Sequence, residues 1–274
     1  MFTSELIVKN ILATRPGNSN GGGLITLYVE CPEYLHSELN RHKRLSVNWV
    51  SHRTSAFTKT EINFYIPPKF FSRGKGMGSG PEMEEERWPE FLRTYWEDTC
   101  NRIEGTCRDL LTLGIAYEQV FRLLPATHMM KGIVTATEAA WDYVLNLRDA
   151  PSADISMQVL AKQIRAAITE GTWSNSNIHM PFWEDTLSDF QVEDQKKICA
   201  ARCARISYGN IEARPGDLKL AESMILRKEW SPFEHIATIK SVGVCTPSAI
   251  NCKSEDVYEG RAWQSFRAEL ELAR

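Results

Sequence analysis

Arg41-His42-Lys43-Arg44-Leu45-Ser46-Val47-Asn48-Trp49-Val50-Ser51-His52-Arg53 is the stretch on which the reading of this chain turns. It follows residues 33–41, whose pattern predicts a helix. It crowds basic and imidazole side chains together with two serines and an amide. Arg and Lys draw phosphate by charge, and Arg can grip it through two parallel hydrogen bonds. Ser and Asn add shorter, directional bonds. The set suits the phosphates of a nucleotide or dinucleotide, although a solvated surface loop would use the same residues. Residues 42–60 have no clean period and read as an ordered loop.

Outward from there the chain reads as mixed α and β. Residues 2–13 and 22–31 alternate and predict two strands around a Gly-rich turn, Gly17 to Gly23. Residues 88–123 predict one or two long amphipathic helices, and 131–137 a short strand. Helices are expected at 138–147 and at 153–170, the latter capped by Ser152. Residues 172–190 read as irregular, 192–206 and 216–228 as helices, 236–244 as a strand, and about 259–272 as a last helix. Residues 71–80 carry four glycines but no G-K-[ST] ending, so they read as a mobile loop and not a phosphate loop. No repeat or clean linker interrupts the chain. The expectation is one α+β domain over residues 1–274.

At 274 residues with 43% hydrophobic and 24% charged residues, the chain is long enough for a core that needs no staples. A net charge of −3 does not imply a broad grip on nucleic acid. No apolar run approaches the length of a membrane span, and no basic segment leads an apolar core at Met1. The expected partners therefore include neither nucleic acid nor membrane, and the expected location is cytoplasmic. The seven cysteines, Cys31, Cys100, Cys107, Cys199, Cys203, Cys245 and Cys252, form no C-x-x-C pair. They read as reduced, structural thiols. Cys199 and Cys203 share a helix face but lack two further ligands at suitable spacing, so no metal is expected.

Four further segments stand out: Arg122-Leu123-Leu124-Pro125, Asn146-Leu147-Arg148, Ala204-Arg205-Ile206-Ser207-Tyr208-Gly209 and Ser231-Pro232-Phe233-Glu234-His235. Each has a plain structural account; Arg148, for example, ends a helix where a cation suits the dipole. Taken together they resemble the flavin-dependent thymidylate synthase family. Arg41 to Arg53 resembles its R-H-R-x-x-S-x-N-x-x-S-x-R signature. The other segments are similar to its R-x-x-L-P, N-L-R, A-R-V-S-Y-G and S-P-F-E-H blocks. The last two usually precede the R-H-R block, and here they follow it. The chain thus resembles a circularly permuted, phage-type member. Gly260 to Arg267 is similar to a terminal block of those members.

The resemblance implies a central, mostly antiparallel sheet flanked by long helices. It implies FAD, reduced by NADPH, relaying a one-carbon unit from methylenetetrahydrofolate to C5 of a deoxypyrimidine monophosphate, dUMP above all. No cysteine attacks the base in that chemistry, and no Pro-Cys-His setting occurs here. Carried over by position, the flavin would be held by Arg41, His42, Lys43, Ser46, Asn48, Tyr143, Ser207 and His235. The substrate would be held by Glu38, Ser51, Arg53, Arg122, Arg148 and Asp154. Arg148 would polarise the pyrimidine, with Ser51 beside it in the catalytic set. Family members build each site from several subunits of a homotetramer. The chain departs from the family pattern at Lys43 (usually Arg), Glu38 (Gln), Trp49 (Glu), His52 (a small residue), Tyr143 (Asn) and Asp154 (Gln). An acceptor-only carboxylate at Glu38 or Asp154 suits a cytosine amino group better than a uracil carbonyl. A sister activity, hydroxymethylating dUMP or dCMP to make a modified DNA precursor, therefore stays open. So does a nucleotide- or RNA-binding relative that has lost catalysis.

Overall fold

In the computed structural model, the described residues are 1–17, 22–52, 62–74, 79–83, 87–209, 214–241 and 261–273. Its organising element is a five-stranded sheet. The strands are β2 (Ile7–Arg15), β3 (Leu24–Pro32), β4 (Ser46–Trp49), β8 (Met129–Thr137) and β9 (Trp173–Asn175). Their spatial order is β4-β8-β3-β2-β9, antiparallel throughout except for the β2–β9 pair. β3 and β8 pair over nine residues, from Leu24 opposite Thr137 to Pro32 opposite Met129. Smaller pairs are β1 (Phe2–Thr3) with β5 (Phe64–Tyr65) and β6 (Phe71–Arg73) with β7 (Ser79–Glu82). The expected α+β class, with a mostly antiparallel central sheet, is what the structure has.

Both faces of the sheet are covered, and β3 records this in its sequence. Ile25, Leu27, Val29 and Cys31 point to one face; Leu24, Thr26 and Tyr28 point to the other, and all are buried. A strand covered on both faces reads as a continuous apolar run. The first face carries α1 (Glu33–Asn40), α4 (Glu138–Arg148) and α5 (Ile155–Glu170). It also receives buried groups of α2 (Arg87–Thr112) and α3 (Tyr117–Val120), among them Cys100, Cys107 and Val120. The second face carries α6 (Val192–Arg205), α7 (Asp217–Arg227) and α8 (Phe266–Leu272), with the 3-10 turn Ser231–His235. Beside them lies a three-stranded antiparallel sheet of β10 (Ile178–His179), β11 (Ala237–Ser241) and β12 (Arg261–Ser265). Among the described residues, no helix is long and apolar enough to cross a membrane.

Several expectations need correction. Residues 46–49 form an edge strand, not loop: Ser46 and Asn48 turn their polar side chains into the buried second layer, which hides the alternation. Residues 261–265 are strand, and the last helix starts only at Phe266, capped by the Ser265 hydroxyl. Pairing with β11 overrides local preference there. The helix over 155–170 is capped by Asp154, whose carboxylate accepts from the Met157 amide at 3.1 Å, and not by Ser152. Residues 172–190 contain two short strands and a 3-10 turn at Asp185–Leu187. The tip of the Gly17–Gly23 turn and residues 75–78 of the Gly-rich stretch lie outside the described residues. Cys31, Cys100, Cys107, Cys199 and Cys203 are buried and unbridged, as expected of structural thiols, while Cys245 and Cys252 lie outside the described residues.

The β4–β8 edge depends on one tight fit. Trp49 stands opposite Gly132 in the register, with its indole over the glycine. A β-carbon at position 132 would sit 2.3 Å from Trp49 Cε3 and 2.5 Å from Cδ2. Trp49 is itself buried, so the ring has little room to yield. Gly132→Ala should lower unfolding stability by about 1–3 kcal/mol, the usual cost of overpacking. Urea denaturation of G132A, W49A and the double variant checks this. If the clash is the cause, the two losses will be strongly non-additive; simple additivity would place it elsewhere.

Candidate active site

The carboxyl-terminal ends of α1 and α4 meet on the first face of the sheet. Arg148, the last residue of α4, extends its guanidinium across the gap to α1. Its Nη1 donates to Glu38 Oε2 at 2.7 Å, and its Nε donates to His42 Nε2 at 2.9 Å. The side chains of Arg148 and Glu38 are only 18% and 27% exposed, so this pair is shielded more than a surface bridge. His42 accepts at Nε2 and is therefore neutral, with its proton on Nδ1. Burial, together with the Arg148 and Arg41 charges, holds its pKa below the ordinary 6.5. The result is one cation aimed by an anion and a neutral imidazole, with Arg41 and Lys43 exposed on either side of His42.

The α1 helix delivers this geometry. Leu35 and Leu39 anchor one side of it in the core, which leaves Glu38 near the surface at the end of the helix. The chain then turns, with the Arg41 and His42 amides bonded to the Glu38 and Leu39 carbonyls. α4 is fixed by its Thr137 cap and by buried Trp141, Val144 and Leu145, which set the direction of Arg148. Tyr143 and Leu147, on the same helix, stay exposed.

The remaining expected residues divide by location. Ser46 and Asn48 lie on the opposite face of the sheet from Arg148, both buried, and Asn48 Nδ2 donates to the Cys203 carbonyl at 2.7 Å. Ser51 and Ser207 are neighbours: the Ser51 amide donates to the Ser207 carbonyl at 2.9 Å. Two segments more than 150 residues apart in sequence are thus fastened at two points. Arg122 is exposed on the 3-10 turn Phe121–Leu123, and Asp154 is exposed at the start of α5. Among the described residues, neither hydrogen-bonds to Arg148, Glu38 or His42. Arg53 lies outside the described residues.

His235 is not at a surface of this chain. It is fully buried and ends a chain of polar side chains on the second face. Thr14 Oγ1 meets His179 Nδ1 at 2.9 Å, and His179 Nε2 meets Thr26 Oγ1 at 2.8 Å. Thr26 Oγ1 meets Thr135 Oγ1 at 2.6 Å, and Thr135 Oγ1 meets His235 Nδ1 at 2.8 Å. His235 Nε2 is buried and, among the described residues, has no hydrogen-bond partner. Burial, with a smaller contribution from His235, pushes His179 down to about 3; burial alone does the same to His235.

Sequence spacing also missed a second cluster. One ligand atom each from Glu33, His52 and His128 lies within 4.8 Å of the other two. These residues stand at the start of α1, after β4 and before β8, so no short motif announces them.

Three comparisons bear on the site. Residues 8–171 match the family model described as "Thymidylate synthase complementing protein". The chain is 26% identical over 139 residues to a probable flavin-dependent thymidylate synthase of Mycobacterium phage L5. That match takes in 51% of this chain and 55% of the phage protein, so the chain spans about half the length of this curated relative. The UMP/dUMP methylase PolB of Streptomyces cacaoi, in crystals with 5-bromo-UMP and with 5-bromo-dUMP, shares the fold. TM-scores are 0.52 and 0.51 at 18% and 17% identity, covering 62% of this chain and 91% and 92% of that one.

The two buried histidines predict acid sensitivity. Their folded pKa values lie below 6.5, so the unfolded chain binds more protons at low pH. The stability they allow is complete above 6.5 and is lost as pH falls from 6.5 toward 3. The melting temperature should therefore drop steadily across that window. H179Q, although less stable at pH 7, should show a shallower drop between pH 6.5 and 4.5 than the parent chain. Equal slopes would mean that His179 is not buried in its neutral form.

Proposed function

This chain belongs to the thymidylate synthase complementing protein family, the flavin-dependent thymidylate synthases, and on that premise we propose that it transfers a one-carbon unit from methylenetetrahydrofolate to C5 of dUMP. The observation that carries the reading is the aimed guanidinium of Arg148, held by Glu38 and His42. A pyrimidine reacting at C5 gathers negative charge on its ring oxygens. A positioned cation stabilises that charge without having to reorganise first. Glu38 and His42 act as positioning residues, and Arg148 faces the base. Ser51, Arg53 and Arg122 take the nucleotide phosphate.

The residues present suit FAD. Arg41 and Lys43 are exposed cations on one tight turn, a donor set for a diphosphate, and neutral His42 lies between them. Lys43 supplies charge without the planar fork of an arginine. When bound, the flavin supplies electrons taken from NADPH and carries the one-carbon unit, chemistry that the polypeptide cannot do alone. The protein's part is to hold, orient and exclude water. A homotetramer with shared sites is part of the same reading. Exposed Tyr143 and Leu147 beside Arg148, and Phe91 and Tyr95 on α2, supply apolar surface for neighbouring copies. The burial of His235, Ser46 and Asn48 argues for their supporting the flavin site from within the protomer. In the permuted reading the late blocks still reach the early ones: Ser231–His235 and Ile206–Tyr208 lie against β4 and β8, although far from them in sequence.

A second reading rests on Glu38, since a carboxylate oxygen accepts from a cytosine amino group. Incubating the protein with reduced FAD, methylenetetrahydrofolate, dUMP and dCMP, and weighing the products, separates the two. Methylated dUMP is the expected product. Methylated or hydroxymethylated dCMP, or hydroxymethylated dUMP, would replace the proposal with the sister activity. R148A should retain flavin and lose at least about 100-fold in kcat, the scale for a group that stabilises transition-state charge. E38Q should lose less, because His42 still holds the guanidinium. Full activity of R148A would overturn its assignment.

A further inference from the structure

We propose that Glu33, His52 and His128 form a binding site for one divalent first-row transition ion of the zinc or ferrous class. Two imidazoles and one carboxylate are a recurrent donor set for such ions, which keep open positions for water or a substrate oxygen.

The geometry goes beyond a coincidence of side chains. His128 is 2% exposed, and its Nδ1 lies 2.8 Å from the Pro125 carbonyl. A carbonyl only accepts, so Nδ1 carries the proton and Nε2 presents a bare lone pair. Metal-binding histidines are oriented in this way, by a backbone carbonyl on the far nitrogen. His52 Nε2 lies 2.9 Å from that lone pair. Without a cation His52 must donate its proton there; with one, both nitrogens bind it. Zinc–nitrogen bonds of about 2.0–2.1 Å at a tetrahedral angle place the two nitrogens about 3.3 Å apart. The rings therefore need to part by a few tenths of an ångström.

The carboxylate is held as deliberately. Asn40 Nδ2 donates to His36 Nε2 at 2.7 Å, which leaves His36 Nδ1 to donate to Glu33 Oε2 at 3.0 Å. Trp49 Nε1 in turn donates to Asn40 Oδ1 at 3.3 Å. The backbones of two ligands are joined directly, with the Glu33 amide donating to the His128 carbonyl at 3.0 Å. Glu33 is 27% exposed at its side chain, which leaves a path for entry. Burial, the largest single effect, raises the pKa of Glu33, and only the His36 hydrogen bond and the three neighbouring imidazoles together bring it below the ordinary value; burial lowers the pKa of His52 and His128. The site does not depend on the activity proposed above.

The test is metal analysis of the whole chain, stripped with chelator, equilibrated with Zn2+ or anaerobically with Fe2+, and desalted. About one equivalent per chain is expected. Co2+ loading should give the visible bands of a four- or five-coordinate site. H52A and E33Q should each cut retention at least about tenfold, and H36A should weaken affinity about 10–100-fold, as loss of an orienting partner does. Circular dichroism guards against unfolding; if H128A does not fold, H52A and E33Q decide. Preference for Zn2+ or Fe2+ assigns the ion within the class. Stoichiometry near zero, or retention unchanged in H52A and E33Q, would overturn the site.

Discussion

A buried polar atom must find a partner or cost the fold stability, and that requirement governs how the two layers of this molecule join. Thr14, Thr26 and Thr135 are contributed by three adjacent strands of the sheet, on the face that also buries Ser46 and Asn48. Each would be a liability alone. His179 and His235 come from the opposing layer and satisfy them in series. The layer that carries α6, α7 and the small sheet therefore has a defined seat. A shift of one residue in β3 or β8 would turn the hydroxyls to the other face and strand both imidazoles. Hydrophobic burial holds the layers together; the hydroxyl–imidazole line fixes where they sit.

The same economy places the site. Edge strand β4 is bound to β8 on one side and to the end of α6 through Asn48, and the chain just beyond it is bound to Ser207. The basic turn that begins at Arg41 is thus fixed at its far end by the second layer and at its near end by α1. Arg148 arrives from a third direction, on a helix whose apolar side is buried. Its guanidinium is directed by Glu38 and His42 and needs no substrate to order it. Pre-arranged charge of this kind is what a one-carbon transfer to a pyrimidine would ask of a protein.

Much of this was legible in the residues. The alternation over 22–31 announced a strand, though not that both its faces would be covered, and the run from Arg41 announced the basic turn beside His42. The pairing of Glu38 with Arg148 was not legible, because neither periodicity nor spacing links positions 110 residues apart. β4 was hidden because Ser46 and Asn48, polar by composition, are buried by a layer that arrives from residues 203–235. β12 was hidden because Ala262, Trp263 and Gln264 owe their extended form to β11. Glu33, His52 and His128 converge only once α1, β4 and β8 are in place. Local chemistry was readable in each case; what long-range packing did with it was not.

The hydroxyl–imidazole line can be traversed in two directions. If the protons run from Thr14 toward His235, the Thr135 hydroxyl donates to His235 Nδ1, and the hydrogen of that ring sits on Nε2. If they run the other way, His235 Nδ1 donates, and Nε2 is bare. The heavy atoms are the same in both, and every bond in the line survives the reversal. His235 Nε2, the atom left without a partner among the described residues, is thereby a donor in one proton order and an acceptor in the other. Passing from one order to the other is more than a hydroxyl rotation: both rings change tautomer, so a proton must leave the line at one end and another must enter at the other, and Thr14 and His235 Nε2 stand at those ends.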